Sequence, residues 1–480
     1  MNDITKEKVV SNFIWRFAER VGAQLVAFVV SIILARILDP SAYGTVALIS
    51  VFIVILQVFV DSGLGNALIQ KKDADDIDFS TVFFVNMLFC TTIYLILFII
   101  APYISEFYGD ITMTPYIRVL GITILISGIK NVQQAYVSRN MMFKRFFFST
   151  LGGTLIAGIV GILLAYLGCG VWALVIQQVV NISIDTTILW VSVKWRPSKK
   201  FSIKRLSALF SFGWKLLVSS LIDTVYNNLR QLLIGKVYSS TDLAYYNQGD
   251  KFPKLIVTNI NTSIDSVLLP AMSNVQDNKD IIRNMTRKSI KTSVYIMAPL
   301  MIGLAVCGKS IVGLILTDKW LPCVFFMQIF CITYMFWPIH TANLNAIKAL
   351  GRSDLFLILE VCKKAVGLVL LLTTMFISVK AMAYSLLLST VISMIINSWP
   401  NKKLLNYSFI EQIRDIIPSI LLALFMGGCI YTIQYLGLSY LVTLLIQIPL
   451  GAIIYIVGSK LLHLDSFEDI VAIIVSYTKR

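Results

Sequence analysis

The residues of this sequence that are most able to do chemistry are charged side chains within long apolar segments. Arg16, Glu19 and Arg20 lie three and four residues apart in the first apolar segment, which places them on one face of a helix. Asp223 and Arg230 lie seven residues apart in a later segment and therefore share nearly one helical stripe. A charge at the centre of a bilayer costs at least about 2.5–3.5 kcal/mol, so such residues normally face a polar cavity or the interior of a helix bundle. These positions predict a polar cavity within the protein.

Both signs of charge occur in these segments, and each sign suggests a different role. Cationic side chains in a cavity suit an anionic head group, such as a phosphate or an acidic sugar. The predicted head-group-binding residues are Arg16, Arg20, Arg118, Lys215, Arg230, Lys251 and Lys363. Carboxylates at the same depth can instead exchange protons or bind a coupling cation. The predicted coupling residues are Glu19, Asp61, Asp223, Asp265 and Glu360. Arg16 and Lys363 could instead reach the membrane interface, Arg16 could form a structural ion pair within its helix, and Lys251 could lie near a helix end.

The segments that carry these residues are predicted to be membrane-spanning helices. The 480-residue chain is 57% apolar and 14% charged, with a mean hydropathy of +0.79. Soluble domains carry about 25% charged residues, so this composition argues against an ordinary soluble protein. Because a spanning helix needs about 20 mostly apolar residues, the sequence predicts fourteen spans. They lie near 12–35, 44–60, 80–101, 115–135, 150–167, 171–193, 209–234, 243–269, 292–316, 321–347, 354–377, 379–399, 415–435 and 438–460. The runs are too long for transmembrane strands and lack their alternation.

The net charge of +15 has a topological explanation. When the N-terminus is placed in the cytoplasm, most loop lysines and arginines fall on the cytoplasmic side, as the positive-inside rule requires. The excess of positive charge therefore does not call for a nucleic-acid partner. The expected protein has cytoplasmic N- and C-termini.

The sequence has few of the residues and motifs that an enzyme active site or a metal site requires. It has two histidines, His340 and His463, and seven scattered cysteines without a CxxC pair. The loops are too short for a soluble catalytic or ATPase domain, and the GxSxG and HExxH motifs do not occur. We therefore predict a protein that is not an enzyme and that needs no metal or cofactor.

Similar stretches about 200 residues apart suggest an internal repeat of six helices. Residues 36–44 resemble residues 236–246, and the pair Asp61-Ser62 matches Asp265-Ser266. Such short matches also arise by chance. A repeat of six helices would give two lobes related by an axis along the membrane normal, with the substrate path between them. The predicted domains are residues 1–200, residues 201–405, and a C-terminal part, 406–480, whose helices carry no charge from Ile416 to Ser459.

Several ordered motifs resemble a known transporter family. The first half contains LARILDPSAYGTVAL at residues 34–48 and DSGLGNALIQKKD at residues 61–73. The second half contains LAYYNQ at residues 243–248 and LLPAMS at residues 268–273. With these motifs the chain resembles the Wzx-type flippases of the polysaccharide transporter family, within the MOP superfamily that also includes the MATE exporters.

The resemblance implies an all-α integral membrane fold of about fourteen helices, with two six-helix lobes and two C-terminal helices. It implies a flippase that moves undecaprenyl-diphosphate-linked oligosaccharide repeat units from the inner to the outer leaflet of the bacterial cytoplasmic membrane. The two lobes would open the substrate path alternately to each side of the membrane, and the last two helices would hold the polyprenyl tail. A glycan polymerase and a chain-length regulator are candidate partners besides membrane lipid. The motifs do not indicate which charges contact the diphosphate.

Three other functions compete with a flippase. The first is an ion-coupled exporter of small anionic solutes or drugs. The second is a membrane glycan polymerase or ligase, although such enzymes usually have a large external loop, which this sequence lacks. The third is an ion channel, which the scatter of both charge signs disfavours.

Overall fold

The structure is an all-α membrane protein. The computed structural model describes residues 6–61, 64–71 and 73–478, and its regular elements there are seventeen α-helices and two short 3-10 helices. The helices are α1 (Lys6–Ile37), α2 (Pro40–Asp61), α3 (Leu64–Gln70), α4 (Asp76–Tyr108), α5 (Met113–Arg139), α6 (Phe143–Tyr166), α7 (Val171–Ser192), α8 (Ile203–Val237), α9 (Ser240–Ser273), α10 (Lys279–Ile315), α11 (Cys323–Met335), α12 (Trp337–Ala349), α13 (Ser353–Thr374), α14 (Val379–Leu404), α15 (Phe409–Tyr431), α16 (Tyr440–Leu461) and α17 (Asp465–Thr478). The motif residues Ser62, Gly63 and Lys72, and the cationic end Lys479 and Arg480, lie outside the described residues.

All fourteen predicted spans coincide with helices, and α11 and α12 together form one of them. Within the described residues, twelve helices are long and apolar enough to cross a membrane. The two predicted spans that fall short of this criterion are α8 and α13. Both carry charges inside the predicted span, among them Asp223 and Arg230 in α8 and Lys363 in α13. The prediction of a multi-pass helical membrane protein is confirmed.

The chain divides into two compact units, one ending at Ala244 and the other beginning at Tyr245. In the first unit α6 packs between α1 and α7, and α5 contacts α2, α4 and α7. The predicted seventh span, α8, packs against α2, α3 and α4 of this unit. The predicted division after residues 200 and 405 stays a prediction.

Helix α10 is the centre of the second unit. It packs against α11, α12, α15 and α16, and it also contacts α17. Residues 303–310, within this helix, have the GxxxxGKS spacing of a nucleotide-binding P-loop. A P-loop must be a loop whose backbone N–H groups point at phosphate, whereas these residues lie inside a continuous helix whose N–H groups are already bonded. The spacing therefore does not indicate a nucleotide site.

Buried amides join three helices of the second unit. Asn343 on α12 and Gln412 on α15 each donate a hydrogen bond to the other, at 2.9 and 3.0 Å. Ser398 on α14 donates to the same Gln412 oxygen at 3.0 Å, and Asn401 on α14 donates to Asn343 at 2.7 Å. Since buried polar groups are costly unless paired, this network fixes how α12, α14 and α15 fit together.

Candidate functional site

A polar cavity of about 460 Å³ lies among α2, α5 and α7 of the first unit. All three helices are apolar enough to span a membrane, so the cavity lies within the membrane-spanning part of the chain. Its lining residues are Ile53, Gln57 and Asp61 on α2, Thr123, Ser127, Lys130, Asn131 and Gln134 on α5, and Gln177, Gln178, Asn181 and Ile182 on α7. Six of these side chains are amides, which makes the wall mainly a set of paired donors and acceptors.

Helical spacing explains why each helix contributes a polar stripe. Gln57 and Asp61 are four residues apart on α2, and Lys130 and Gln134 are four residues apart on α5. Residues at this spacing lie one above the other on the same helix face. Each stripe is interrupted by apolar residues that face elsewhere, so the segment keeps the mean hydropathy of a span.

Asp61 on α2 and Asn131 on α5 are joined by a hydrogen bond in the cavity lining. The Asn131 amide nitrogen donates to the Asp61 carboxylate at 3.2 Å. The Asn131 side-chain oxygen is buried and has no hydrogen-bond partner among the described residues. A buried polar atom without a partner costs about 1–3 kcal/mol, so this oxygen makes the present arrangement of the Asn131 side chain energetically costly.

The single cation of the lining, Lys130, is already paired. Its ammonium group donates to the carboxylate of Asp185 on α7, and the two side chains are 14% and 7% exposed. The second carboxylate oxygen of Asp185 is buried and has no partner among the described residues. Because this pair is neutral overall, the cavity carries no excess of positive charge, and Asp61 gives it a carboxylate.

The arrangement suits a polyhydroxylated ligand better than a diphosphate. Amides, hydroxyls and a carboxylate offer both donors and acceptors to sugar hydroxyl groups, whereas a diphosphate requires an excess of donors and positive charge.

Among the described residues, Asp61 is the predicted site residue that lines this cavity. Two predicted pairs instead form ion pairs on their own helices. Arg16 bonds to Glu19 at 2.6 Å on α1, and Lys363 bonds to Glu360 at 2.6 Å on α13. The Arg16–Glu19 pair is the structural ion pair that the sequence allowed, and the Lys363–Glu360 pair is a second one. Whether they also bind substrate stays a prediction.

The other predicted residues are distributed over α1, α5, α8 and α9. Arg118 stacks on the Phe98 ring at 4.1 Å and donates to the Phe98 carbonyl at 3.2 Å. Asp223 accepts a hydrogen bond from Asn227 at 3.2 Å, and Asp265 accepts one from Asn345 on α12 at 2.9 Å. Exposed or half-buried positions are occupied by Arg20, Lys215, Arg230 and Lys251. The head-group and coupling roles of all these residues stay predictions.

The amides of the cavity were not predicted, because the candidate roles were assigned to charged side chains. Gln57, Gln134 and Asn181 interrupt predicted spans just as charges do. Glutamine and asparagine are also costly in a lipid environment, so they carry the same kind of signal. A search for all strongly polar residues with a spacing of three or four residues would have marked α2, α5 and α7.

Comparison with known proteins identifies the family. Residues 33–325 match a family described as polysaccharide biosynthesis protein. The teichuronic acid biosynthesis protein TuaB of Bacillus subtilis is 25% identical over 84% of this chain and 85% of its own. The lipopolysaccharide biosynthesis protein WzxC of Escherichia coli is 22% identical over 73% of this chain and 72% of its own.

Solved structures show the fold. A structure titled lipid II flippase MurJ, in an inward closed conformation, has a TM-score of 0.74 at 15% identity and covers 95% of this chain and 99% of its own. A multidrug resistance MATE transporter of the MOP superfamily, in an inward-facing conformation, has a TM-score of 0.63 at 13% identity, covering 79% and 94%. The protein has the helical fold shared by these transporters. Since the family match spans more than half of the sequence, the chain belongs to the family of polysaccharide biosynthesis proteins.

Proposed function

We propose that this protein is a flippase for lipid-linked oligosaccharide repeat units in surface polysaccharide biosynthesis. The observation that carries the proposal is the amide-lined cavity within membrane-spanning helices of a polysaccharide biosynthesis family member. A wall of amides and hydroxyls can replace the water around sugar hydroxyls while the head group crosses the apolar layer. The names of the relatives TuaB and WzxC support the same reading, since both refer to the biosynthesis of surface glycans.

The proposed substrate is an undecaprenyl-diphosphate-linked repeat unit made on the cytoplasmic side. Its sugars would contact the cavity of α2, α5 and α7. Its diphosphate would contact cations drawn from the set Arg16, Arg20, Arg118, Lys215, Arg230, Lys251 and Lys363. Proton or ion coupling would use carboxylates from the set Glu19, Asp61, Asp223, Asp265 and Glu360. Positive charge in or near the membrane supports the proposed diphosphate binding, because it stabilises the negative charge of a diphosphate.

The polyprenyl tail would lie along α15 and α16. The chain carries no charged residue from Ile416 to Ser459, so these helices offer a surface compatible with a long hydrocarbon.

Residues 1–200 and 201–405 would act as the two lobes that alternate access, and residues 406–480 would bind the polyprenyl tail. A glycan polymerase and a chain-length regulator would receive the product.

We place the protein in the bacterial cytoplasmic membrane with both termini in the cytoplasm. The excess of lysine and arginine in alternate loops supports this orientation. The protein would be a transporter and would catalyse no covalent step.

The test is a deletion of the gene followed by extraction of lipid-linked repeat units. A glycosidase that cannot cross the membrane, added to intact spheroplasts, reports which face carries them. We expect single repeat units to accumulate on the inner face, protected from the enzyme. Accumulation on the outer face would point to polymerisation or ligation. An unchanged surface glycan without accumulation would favour the solute exporter.

A further inference from the structure

The membrane span formed by α11 and α12 is broken near its middle. The two helices together form a span of 27 residues, Cys323–Ala349, and Phe336 at the break is the fourteenth of them. Pro338 lies in the first turn of α12 and has no N–H group to continue the hydrogen-bonding ladder. Discontinuous transmembrane helices occur where transporters hold their substrates near the midplane of the bilayer.

The break presents a pair of stacked aromatic rings. Trp337 begins α12, and its ring lies on the Tyr334 ring with centroids 5.1 Å apart and an angle of 26° between the planes. Phe330 supports the other part of the stack, with its centroid 5.7 Å from that of Tyr334. Trp337 is nevertheless 37% exposed. The indole thus packs against the Tyr334 ring while part of it stays exposed.

Polar groups of α9 adjoin this aromatic stack. The Tyr334 hydroxyl donates to the Asp250 carboxylate, which also accepts from Lys254 at 3.2 Å. One turn beyond Trp337, the Thr341 hydroxyl donates to Asn261 at 2.7 Å. The Lys254 side chain is 58% exposed.

The adjoining part of α9 is also polar where it is exposed. Asn259, Thr262 and Ser263 on that helix are exposed. Such a face is costly against hydrocarbon, and it therefore indicates a polar environment along this part of α9.

An exposed aromatic face beside a carboxylate and an ammonium group has the chemistry that recognises a pyranose ring. The ring face carries partial negative charge and attracts the partly positive C–H groups on one face of a sugar. The carboxylate accepts hydrogen bonds from the sugar hydroxyls, and the ammonium group donates to them. A diphosphate would gain little from an indole, and Lys254 is already paired with Asp250.

We propose that Trp337, stacked on Tyr334 at the α11–α12 break, binds one pyranose ring of the transported head group together with Asp250 and Lys254, the pair to which Tyr334 is bonded. The site lies in the second unit, whereas the cavity of α2, α5 and α7 belongs to the first. This inference deepens the proposed flippase function and rests on it. The Trp337 site would recognise the sugar of the substrate and not its lipid.

The test compares leucine and phenylalanine at this position. The probe is the repeat-unit oligosaccharide released by mild acid from the lipid-linked precursors of the host strain. Binding to the full-length protein in detergent is followed by saturation-transfer NMR. We expect Trp337→Leu to weaken binding about tenfold and Trp337→Phe to stay within about threefold, because phenylalanine keeps an aromatic face. Lys254→Gln, at a largely exposed side chain, should also weaken binding by about threefold.

Trp399→Leu is the matched control, since Trp399 is 70% exposed and also precedes a proline, Pro400. It should bind the probe as the wild type does. Equal binding by Trp337→Leu, Lys254→Gln and the wild type would overturn the sugar site, as would an absence of binding by the wild type. The flippase itself is decided separately by the deletion experiment, which does not depend on Trp337.

Discussion

Lys130 of α5 and Asp185 of α7 form an ion pair at the wall of the polar cavity, although 55 residues separate them in the chain. Both side chains are mostly buried, at 14% and 7% exposure. Removing one member of such a pair leaves an uncompensated charge and typically costs about 3–5 kcal/mol, whereas replacing both by apolar residues is often neutral. Lys130 therefore contributes both to the stability of the first unit and to the lining of the cavity.

We expect Lys130→Met or Asp185→Leu alone to lower the membrane abundance and the thermal midpoint in detergent. The double variant Lys130→Met/Asp185→Leu should recover most of that abundance and thermal midpoint. Because Lys130 lines the cavity, transport by the double variant should nevertheless stay at least tenfold below wild type. Full transport by the double variant would show that the pair is only structural.

Asp61 is the other acidic group at the cavity, and Asp61→Asn tests its role there. The substitution keeps the size of the side chain and its contact with Asn131, but it removes a charged acceptor. We expect translocation of repeat units to fall at least tenfold while the amount of protein in the membrane is unchanged. Asp110→Asn is the control, because Asp110 lies in the turn between α4 and α5 and is not part of the cavity lining. Equal loss in both variants would argue against a cavity role.

Gly44 allows a close approach between the start of α2 and the start of α9. A Cβ atom at this position would lie 1.6 Å from the carbonyl oxygen of Ser240, at the start of α9. Gly44→Ala must therefore move one helix end away from the other, and we expect a large loss of folded protein in the membrane. Gly428→Ala on α15 is the control, since an added Cβ there meets no atom within 4 Å. Normal abundance of Gly44→Ala would contradict the close packing.

The pair Asp75–Arg205 predicts a specific pH dependence. Asp75 caps α4, and the Arg205 guanidinium that bonds it lowers the pKa of that carboxyl to about 2. Because the pKa of Asp75 is lower in the folded state, the pair stabilises the fold fully at pH values above the unfolded pKa of about 4. This stabilisation is lost as the pH falls from about 4 towards 2. The thermal midpoint of Asp75→Asn in detergent should lie below that of wild type by a constant margin from pH 8 to pH 5. The margin should narrow below pH 4. A margin that narrows between pH 7 and pH 5 would contradict the assignment.

The positions of the membrane helices were determined by the sequence alone. Each span requires only a local run of apolar residues, and every predicted run is helical in the structure. The spacing that allows the ion pairs Arg16–Glu19 and Lys363–Glu360 is also visible in the sequence. Residues three apart on one helix are neighbours regardless of the tertiary structure.

The cavity and the aromatic stack were decided by tertiary structure. Gln57, Asn131 and Asn181 meet because α2 and α7 both pack on α5, and nothing in the three separate segments specifies that packing. The same holds for Asp250 and Tyr334, which are 84 residues apart and come together only when α9 packs beside α11. The cost of burying a polar group can be read from one segment, whereas the partner that offsets it depends on which helices become neighbours.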